Sequence, residues 1–88
     1  MRVEAKKAFN KDLEKITDRK LAQKVKSTLL QIENAKNITE ISNLKKMKGA
    51  DNAYRLRIGD YRLGFFLVNG VIELTVFAHR KEIYRYFP

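Results

Sequence analysis

Two turn dipeptides divide the carboxy-terminal half of the chain into three runs of alternating apolar and polar residues. Gly59-Asp60 separates the first run from the second, and Asn69-Gly70 separates the second from the third. Glycine and asparagine tolerate the positive φ angles of two-residue hairpin turns, and Asn-Gly is among the strongest hairpin signals. We therefore predict three antiparallel strands joined by two tight turns over residues 54–79.

Two-residue turns also determine which residues face each other, because side chains alternate between the two faces of a sheet. Arg57 then pairs with Arg62, and Arg55 pairs with Gly64, while across the second turn Arg62 pairs with Phe77. The face predicted to cover the helices is apolar and holds Tyr54, Leu56, Ile58, Tyr61, Leu63, Phe65, Leu67, Ile72, Leu74, Val76 and Ala78. The opposite face is largely polar and holds Arg55, Arg57, Arg62, Gly64, Phe66, Glu73, Thr75, Phe77 and His79.

Several arginines on one sheet face indicate an anion-binding surface. Like charges directly opposite each other, such as Arg57 and Arg62, destabilise a sheet by up to ~1 kcal/mol, so folding alone does not explain them. A guanidinium is a planar fork that binds phosphate oxygens in pairs. Gly64 leaves room for a ligand backbone, and Phe66 and Phe77 offer flat surface to a base or a protein partner. The alternative is a solvated face whose arginines form ion pairs with neighbouring carboxylates.

The net charge of +9 favours an acidic partner such as nucleic acid. Five of the seven arginines lie in residues 51–88, whereas lysines dominate residues 1–50. The lysine-rich part predicts a diffuse surface that attracts RNA or DNA without reading its sequence. Within that part, a basic cluster precedes Gly49 and consists of Lys45, Lys46 and Lys48.

Composition also argues against several classes of protein. Cysteine is absent and histidine occurs once, which disfavours disulfides, thiolate chemistry and a zinc site. No apolar run approaches the ~20 residues that span a bilayer. The amino terminus lacks the apolar core of a signal peptide. We therefore expect a cytoplasmic protein that uses no metal, no cofactor and no membrane.

Helical spacing of apolar residues predicts two helices in the first half of the chain. The first covers residues 5–16, and the second begins after Thr17 and ends near Asn34–Asn37. Thr17 is suited to cap the second helix, with Asp18 favourable in its first turn. The two helices are expected to form a hairpin with one apolar side.

The whole chain, residues 1–88, is predicted to be a single α+β domain. In it a two-helix hairpin packs on a small antiparallel β-sheet in the order β-α-α-β-β-β, followed by a short carboxy-terminal tail or helical turn. Residues 1–4 are expected to add an edge strand. Residues 36–52 are expected to form a partly anchored connector with one helical turn.

Two residues near the carboxy terminus are candidates for proton transfer. His79 is the only histidine, and an imidazole changes its protonation near neutral pH. A lone histidine at a strand end also suits packing or hydrogen bonding. Tyr84 follows Arg80 by four residues, so one helical turn would place both on one side. The alternative is a tail that packs its aromatic residues on the sheet.

The chain resembles the RelE/ParE superfamily of bacterial and archaeal toxins over nearly its whole length. The resemblance rests on four motifs, which are Leu-Lys-Lys-Met-Lys-Gly (Leu44–Gly49), Tyr-Arg-Leu-Arg (Tyr54–Arg57), Gly-Asp-Tyr-Arg-Leu (Gly59–Leu63) and His-Arg-Lys-Glu-Ile-Tyr (His79–Tyr84). It implies a cognate antitoxin as partner. In the RelE branch it implies cleavage of mRNA on the ribosome without a metal, by attack of the RNA 2′-hydroxyl on the adjacent phosphate.

The resemblance also implies roles for individual residues. Arg62 and Arg80 would hold the scissile phosphate, and Tyr84 or His79 would transfer a proton. Binding of RNA would fall to other basic residues, namely Arg55, Arg57, Lys45, Lys46 and Lys48. The basic helices would contact ribosomal RNA.

Two further functions are compatible with the same fold. ParE-like toxins poison DNA gyrase and cleave no RNA, and fold alone does not separate them from the RelE branch. A non-catalytic module that binds RNA or an antitoxin is the third possibility. The number of arginines and the presence of Tyr84 favour RNA cleavage.

Overall fold

The computed structural model describes all 88 residues, which form an α+β fold with one five-stranded sheet. The elements are β1 (Arg2–Ala5), α1 (Lys7–Glu14), α2 (Arg19–Asn34), a 3₁₀ turn (Ile38–Glu40), β2 (Leu44–Lys46), β3 (Ala53–Ile58), β4 (Tyr61–Val68), β5 (Val71–His79) and α3 (Ile83–Tyr86). The strand order is β1-β5-β4-β3-β2. The predicted α+β class, with a helical hairpin packed on a sheet, is confirmed.

Two details of the sheet differ from the prediction. β1 runs parallel to β5, so the sheet is mixed and not wholly antiparallel. β2 is an additional strand, antiparallel to β3, in a segment predicted to be a connector. β1 forms one edge of the sheet, next to β5. The helical hairpin then carries the chain to the opposite edge, where β2 pairs with β3. The helical turn expected in the connector is present at Ile38–Glu40.

Helix α1 is shorter than the predicted residues 5–16, whereas α2 ends at Asn34, within the predicted range. α2 is capped by Asp18 and not by Thr17, because the Asp18 carboxylate accepts hydrogen bonds from the backbone N–H groups of Lys20 and Leu21 at 2.9 and 3.3 Å. A carboxylate at this position satisfies free N–H groups of the first turn and also interacts well with the helix dipole. The prediction of Thr17 as the cap was therefore wrong by one residue.

Both predicted hairpin turns are confirmed. Gly59 has a φ of +59°, and Asn69 and Gly70 have φ of +51° and +79°, which only residues tolerant of the left-handed region adopt easily. The register between β3 and β4 also agrees with prediction, with Arg57 opposite Arg62.

The register between β4 and β5 changes partway along the strands. Near the turn the pairing agrees with prediction, with Val68 opposite Val71, but it shifts between Gly64 and Phe65. Phe65 pairs with Leu74, whereas Gly64 pairs with Val76, so Thr75 is an extra residue in β5. One extra residue exchanges the faces of every side chain beyond it.

The bulge makes part of the predicted face assignment wrong. Phe77 now lies opposite Leu63 and His79 opposite Tyr61, on the side of the helices. The side chains of Val76 and Ala78 lie on the arginine side instead. Phe77 is buried in the main core.

The sheet has a hydrophobic core on each face. The main core lies between the sheet and helices α1 and α2, and its largest fully buried residues include Phe9, Ile32, Leu63 and Phe65. A smaller core on the arginine face contains Met47, Ala53, Val76, Ile83 and Phe87, so α3 and the residue after it cover part of that face. None of the helices combines the length and the apolar composition that a membrane-spanning segment needs.

Candidate nucleic-acid interface

Four arginines meet on the sheet face opposite the helical hairpin. Arg55 and Arg57 come from β3, and Arg62 comes from β4. Arg80 follows β5, and its backbone N–H donates to the carbonyl oxygen of Asp60 at 2.8 Å, which ties it to the β3–β4 turn. We call these four side chains the arginine cluster.

Arg62 is held in place by the turn beside it. Its Nη1 atom donates to the carbonyl oxygens of Gly59 and Tyr61, both at 2.9 Å. These bonds occupy one nitrogen of the guanidinium and leave the rest of the fork for an anion. The tight turn therefore orients the cation as well as reversing the chain.

No carboxylate neutralises the arginine cluster. The ion pairs of the structure are Arg2–Glu4, Lys6–Glu73 and Arg85–Glu82, and none includes a member of the cluster. The pKa of Arg62 is lowered, first by partial burial and then by the charges of Arg55, Arg57 and Arg80, while Tyr84 acts in the opposite direction. The alternative prediction, in which carboxylates form ion pairs with the arginines of this face, is therefore wrong for the arginine cluster. Bound negative charge would relieve the repulsion.

Two adjoining grooves lie along the cluster. The first has a volume of about 240 Å³ and is lined by Asn43, Lys45, Arg55, Arg57 and Arg62. The second, of about 420 Å³, is lined by Lys45, Lys46, Met47, Lys48, Arg55, Tyr84, Phe87 and Pro88. Lys45 and Arg55 belong to both. The structure therefore brings the predicted lysines and arginines onto one continuous basic surface.

Tyr84 lies at the edge of this surface. Its side chain is exposed, and its hydroxyl oxygen accepts a hydrogen bond from Nη1 of Arg55. The guanidinium carbon of Arg55 also lies 5.3 Å from the centre of the Tyr84 ring, within cation–π range. The structure thus brings three of the four predicted catalytic residues, Arg62, Arg80 and Tyr84, to the same side of the sheet.

His79 lies on the other side of the sheet. Its Nδ1 atom accepts a hydrogen bond from the backbone N–H of Lys81 at 3.2 Å, and its ring packs edge-on against Tyr61 at 5.4 Å between centroids. It lines a groove next to the helical hairpin. The bulge in β5 therefore separates His79 from the arginine cluster, contrary to the predicted face. No group of three or more His, Cys, Asp or Glu side chains is arranged to hold a metal ion.

The predicted gap beside Gly64 is filled by the chain itself. The ring of Phe87 occupies this space and also contacts Phe66, with 5.0 Å between ring centroids. Phe66 therefore packs against a neighbour, and Phe77 is in the core, so the predicted pair of stacking rings was wrong. Prediction also missed Asn43, which lines the first groove with φ of +63°. Its signal is weak, because a single asparagine before a short strand is common.

Comparison with known proteins places this chain in a family. The family model described as the ParE toxin of type II toxin–antitoxin systems, parDE, matches residues 3–84. Toxin RelE3 of Methanocaldococcus jannaschii is 34% identical over 89 residues, which cover 100% of both chains. A chain of the RelB–RelE antitoxin–toxin complex from Methanococcus jannaschii is 32% identical, with a TM-score of 0.80, covering 96% of this chain and 98% of that chain.

A more distant structure shares the fold. A chain of the archaeal RelE–RelB complex from Pyrococcus horikoshii OT3 is 21% identical, with a TM-score of 0.70, and the match covers 90% of this chain and 93% of that chain. The fold and the basic face together define a small α+β protein with a cationic sheet surface. The chain belongs to the RelE/ParE superfamily of toxins from type II toxin–antitoxin systems, and it is RelE-like, as the sequence resemblance predicted.

Proposed function

We propose that this toxin is an mRNA endoribonuclease that acts on translating ribosomes in the cytoplasm and thereby inhibits translation. The observation that carries the proposal is the crowding of four arginines on one sheet face without a carboxylate among them. The pKa of Arg62 is lowered first by partial burial and then by the charges of the other three arginines. A phosphate supplies the missing negative charge, and a planar guanidinium binds its oxygens in pairs.

The proposed reaction is a transesterification within the RNA. The 2′-oxygen bonds to the adjacent phosphorus, the bond from phosphorus to the 5′-oxygen breaks, and the products are a cyclic phosphate and a 5′-hydroxyl. The 2′-hydroxyl loses a proton and the 5′-oxygen gains one. Arg62 and Arg80 would hold the phosphate, and their charge would stabilise the extra negative charge of the transition state. A guanidinium stays protonated at neutral pH, so neither serves as the base.

Tyr84 is the proposed proton donor to the leaving 5′-oxygen. Its oxygen already accepts a hydrogen bond from Arg55, so its own O–H is free to point at another group. His79 lies across the sheet, next to Tyr61, so a group that accepts protons at neutral pH is missing beside the cluster. We assign removal of the 2′-proton to the ribosome or the message, which explains why cleavage would depend on translation.

The remaining basic residues are proposed to bind RNA without taking part in the chemistry. Arg55 and Arg57 line the first groove, and Lys45, Lys46 and Lys48 line the second. The exposed lysines of α1 and α2 would contact ribosomal RNA through charge alone. The proposed reaction uses no metal and no cofactor.

A cognate antitoxin is the proposed protein partner. The RelE relative from Methanococcus jannaschii was solved in an antitoxin–toxin complex with RelB. We extend this partnership to the present chain. Neutralisation by a co-expressed antitoxin is then expected to restore growth when the toxin is induced.

A second candidate function is poisoning of DNA gyrase. It is favoured by the family model that matches residues 3–84, which describes ParE toxins. The third possibility, a module that binds RNA or an antitoxin without cleaving, shares the same basic surface. The three functions leave different products in the cell. An endoribonuclease produces new RNA ends, a gyrase poison produces DNA breaks, and a non-catalytic module produces neither.

The test combines a measurement on cells in which the toxin is induced with an assay in vitro. Primer extension maps new mRNA ends, and a supercoiling assay with purified gyrase reports inhibition. RelE-type activity predicts ends clustered within translated codons and normal supercoiling. Arg62→Ala should abolish both the ends and growth arrest, whereas Arg2→Ala, on the distant edge strand β1, should retain them. Cleavage undiminished in the Arg62 variant would reject the proposed site.

A further inference from the structure

The last helical turn is fixed to the arginine face by two buried side chains. Ile83 and Phe87 are four residues apart and only 0% and 1% exposed, so both point toward the sheet. Tyr84 lies between them in sequence and is 65% exposed. The position of the Tyr84 hydroxyl therefore depends on the anchors that precede and follow it.

Gly64 provides the space that Phe87 fills. A Cβ atom at position 64 would lie 2.7 Å from Cδ2 of Phe87 and 2.8 Å from Cγ1 of Val76. Both distances are far below the ~3.5–4.0 Å of ordinary carbon contacts. Any larger residue at this position must therefore displace the Phe87 ring, the Val76 side chain or both.

The backbone itself does not require glycine at position 64. The positive φ angles among glycines belong to Gly49, Gly59 and Gly70, and Gly64 is not one of them. Glycine inside a strand is less stable than alanine by roughly 0.5–1 kcal/mol. The close approach of Phe87 and Val76 explains a glycine in the middle of β4.

We propose that Gly64 and Phe87 are positioning residues that hold Tyr84 against Arg55 at the edge of the arginine cluster, an inference that rests on the proposed role of Tyr84 in proton transfer. Gly64 is the direct cross-strand partner of Arg55. The socket for the ring and the cation that binds the tyrosine oxygen are therefore neighbours on β4 and β3. A shift of Phe87 moves the turn that carries Tyr84.

The first test is Gly64→Ala in the full chain. The added methyl crowds both Phe87 and Val76. We expect kcat for mRNA cleavage on programmed ribosomes to fall about tenfold or more, because misplacement by ~1 Å can reduce a rate ~10²-fold. Binding of a short RNA with a 2′-deoxy sugar at the cleavage position should change less than about twofold, because the four arginines remain. A split between kcat and binding is the result that a positioning role predicts.

A second pair of variants tests whether Gly64 acts through Phe87. Phe87→Ala removes the ring but leaves Val76 close to position 64. Gly64→Ala in that background should therefore cause a smaller loss than it causes alone, and the two effects are then non-additive. Phe87→Leu, which keeps an apolar side chain in the socket, should retain more kcat than Phe87→Ala. Losses that simply multiply in the double variant would overturn the coupling.

Amide hydrogen exchange separates positioning from a general loss of stability. In Gly64→Ala, exchange should accelerate at residues 83–87 while the amides of β3 and β4 keep their protection. Acceleration throughout the sheet would overturn the inference in favour of a structural role. Full cleavage activity in a variant whose amides at residues 83–87 exchange fast would also overturn the inference.

Failure of the inference is distinguishable from failure of the proposed function. If the wild-type toxin cleaves no message on ribosomes, the nuclease proposal fails, and exchange at residues 83–87 in Gly64→Ala alone decides whether the socket holds the turn. If the wild type cleaves and the variants behave additively, the nuclease proposal stands and the positioning role is rejected.

Discussion

Arg57 and Arg62 face each other directly across β3 and β4, and this pair opposes folding. Replacing Arg57 by Gln removes one of the two charges while keeping a polar side chain on an exposed position. We expect Arg57→Gln to raise the free energy of unfolding by up to ~1 kcal/mol, the range for opposed like charges in a sheet. The measurement is the midpoint of urea unfolding at low salt.

A control arginine distinguishes relief of repulsion from a general effect of lost charge. Arg2 forms an exposed ion pair with Glu4, so Arg2→Gln should shift stability by less than ~0.5 kcal/mol and not upward. Lower stability for Arg57→Gln than for the wild type would mean that the cluster is not strained. The same substitution at Arg57 should weaken RNA binding, so stability and binding are expected to change in opposite directions.

Tyr84 and His79 are expected to differ sharply in their contribution to cleavage. Tyr84→Phe removes the hydroxyl but keeps the ring near Arg55, and loss of a proton donor should reduce kcat by about 10²-fold or more. His79→Gln, on the opposite face, should change kcat by less than about threefold, since it is remote from the reacting phosphate. Single-turnover cleavage on programmed ribosomes measures both. If His79→Gln folds normally but does not cleave, the imidazole takes part in catalysis and the proposed mechanism is wrong.

At the scale of single residues, the shared face of Arg55, Arg57 and Arg62 was predictable because all three lie within a few residues of one tight turn. The Gly59-Asp60 turn sets the pairing of Arg57 with Arg62 by local geometry alone. The position of His79 was not predictable in the same way. It depends on an unpaired Thr75 in the middle of β5, and no turn-type residue marks that place in the sequence.

Among the elements, the bulged strand β5 depends on a contact with helix α1. The backbone N–H of Phe77, two residues after the extra Thr75, donates to Oδ2 of Asp12 at 3.0 Å. Asp12→Ala leaves this partly buried donor unpaired, and we expect a loss of about 1–3 kcal/mol in the free energy of unfolding. Urea denaturation provides the measurement.

Two variants sharpen the interpretation of that loss. Asp12→Asn keeps an acceptor oxygen and should lose less stability than Asp12→Ala. Glu14→Ala, on the exposed side of the same helix, should stay within ~0.5 kcal/mol of the wild type. Equal effects at positions 12 and 14 would show that helix propensity, and not the bond to β5, determines the change.

The elements that prediction found are those with strong local signals. The Asn69-Gly70 turn and the apolar stripe of α2 each depend on neighbours within a few residues. β2 was missed because three residues, Leu44–Lys46, carry too little alternation to identify a strand. Its pairing with β3 depends on where the helical hairpin delivers the chain, which is a property of the whole fold. The bulge is likewise stabilised from outside its own strand, by α1.

Over the whole molecule, the net charge of +9 and the arginine cluster make different contributions to RNA binding. The diffuse charge attracts any polyanion, whereas the cluster contacts particular phosphates. Each phosphate contact with a single strand adds roughly 0.7 to the slope of log affinity against log salt concentration. Losing one cluster arginine should therefore lower the slope by about that amount, beyond any general weakening.

The salt dependence of binding tests whether the cluster is the part of the surface that holds RNA. Affinity for a short 2′-deoxy-substituted RNA would be measured across a salt series for the wild type, Arg62→Ala and Arg2→Ala. We expect Arg62→Ala to reduce the slope by roughly 0.7 and Arg2→Ala to leave it nearly unchanged, because β1 lies at the edge of the sheet away from both grooves. Equal reductions would mean that RNA responds to total charge alone. The arginine cluster would then not be the part of the surface that binds the scissile phosphate.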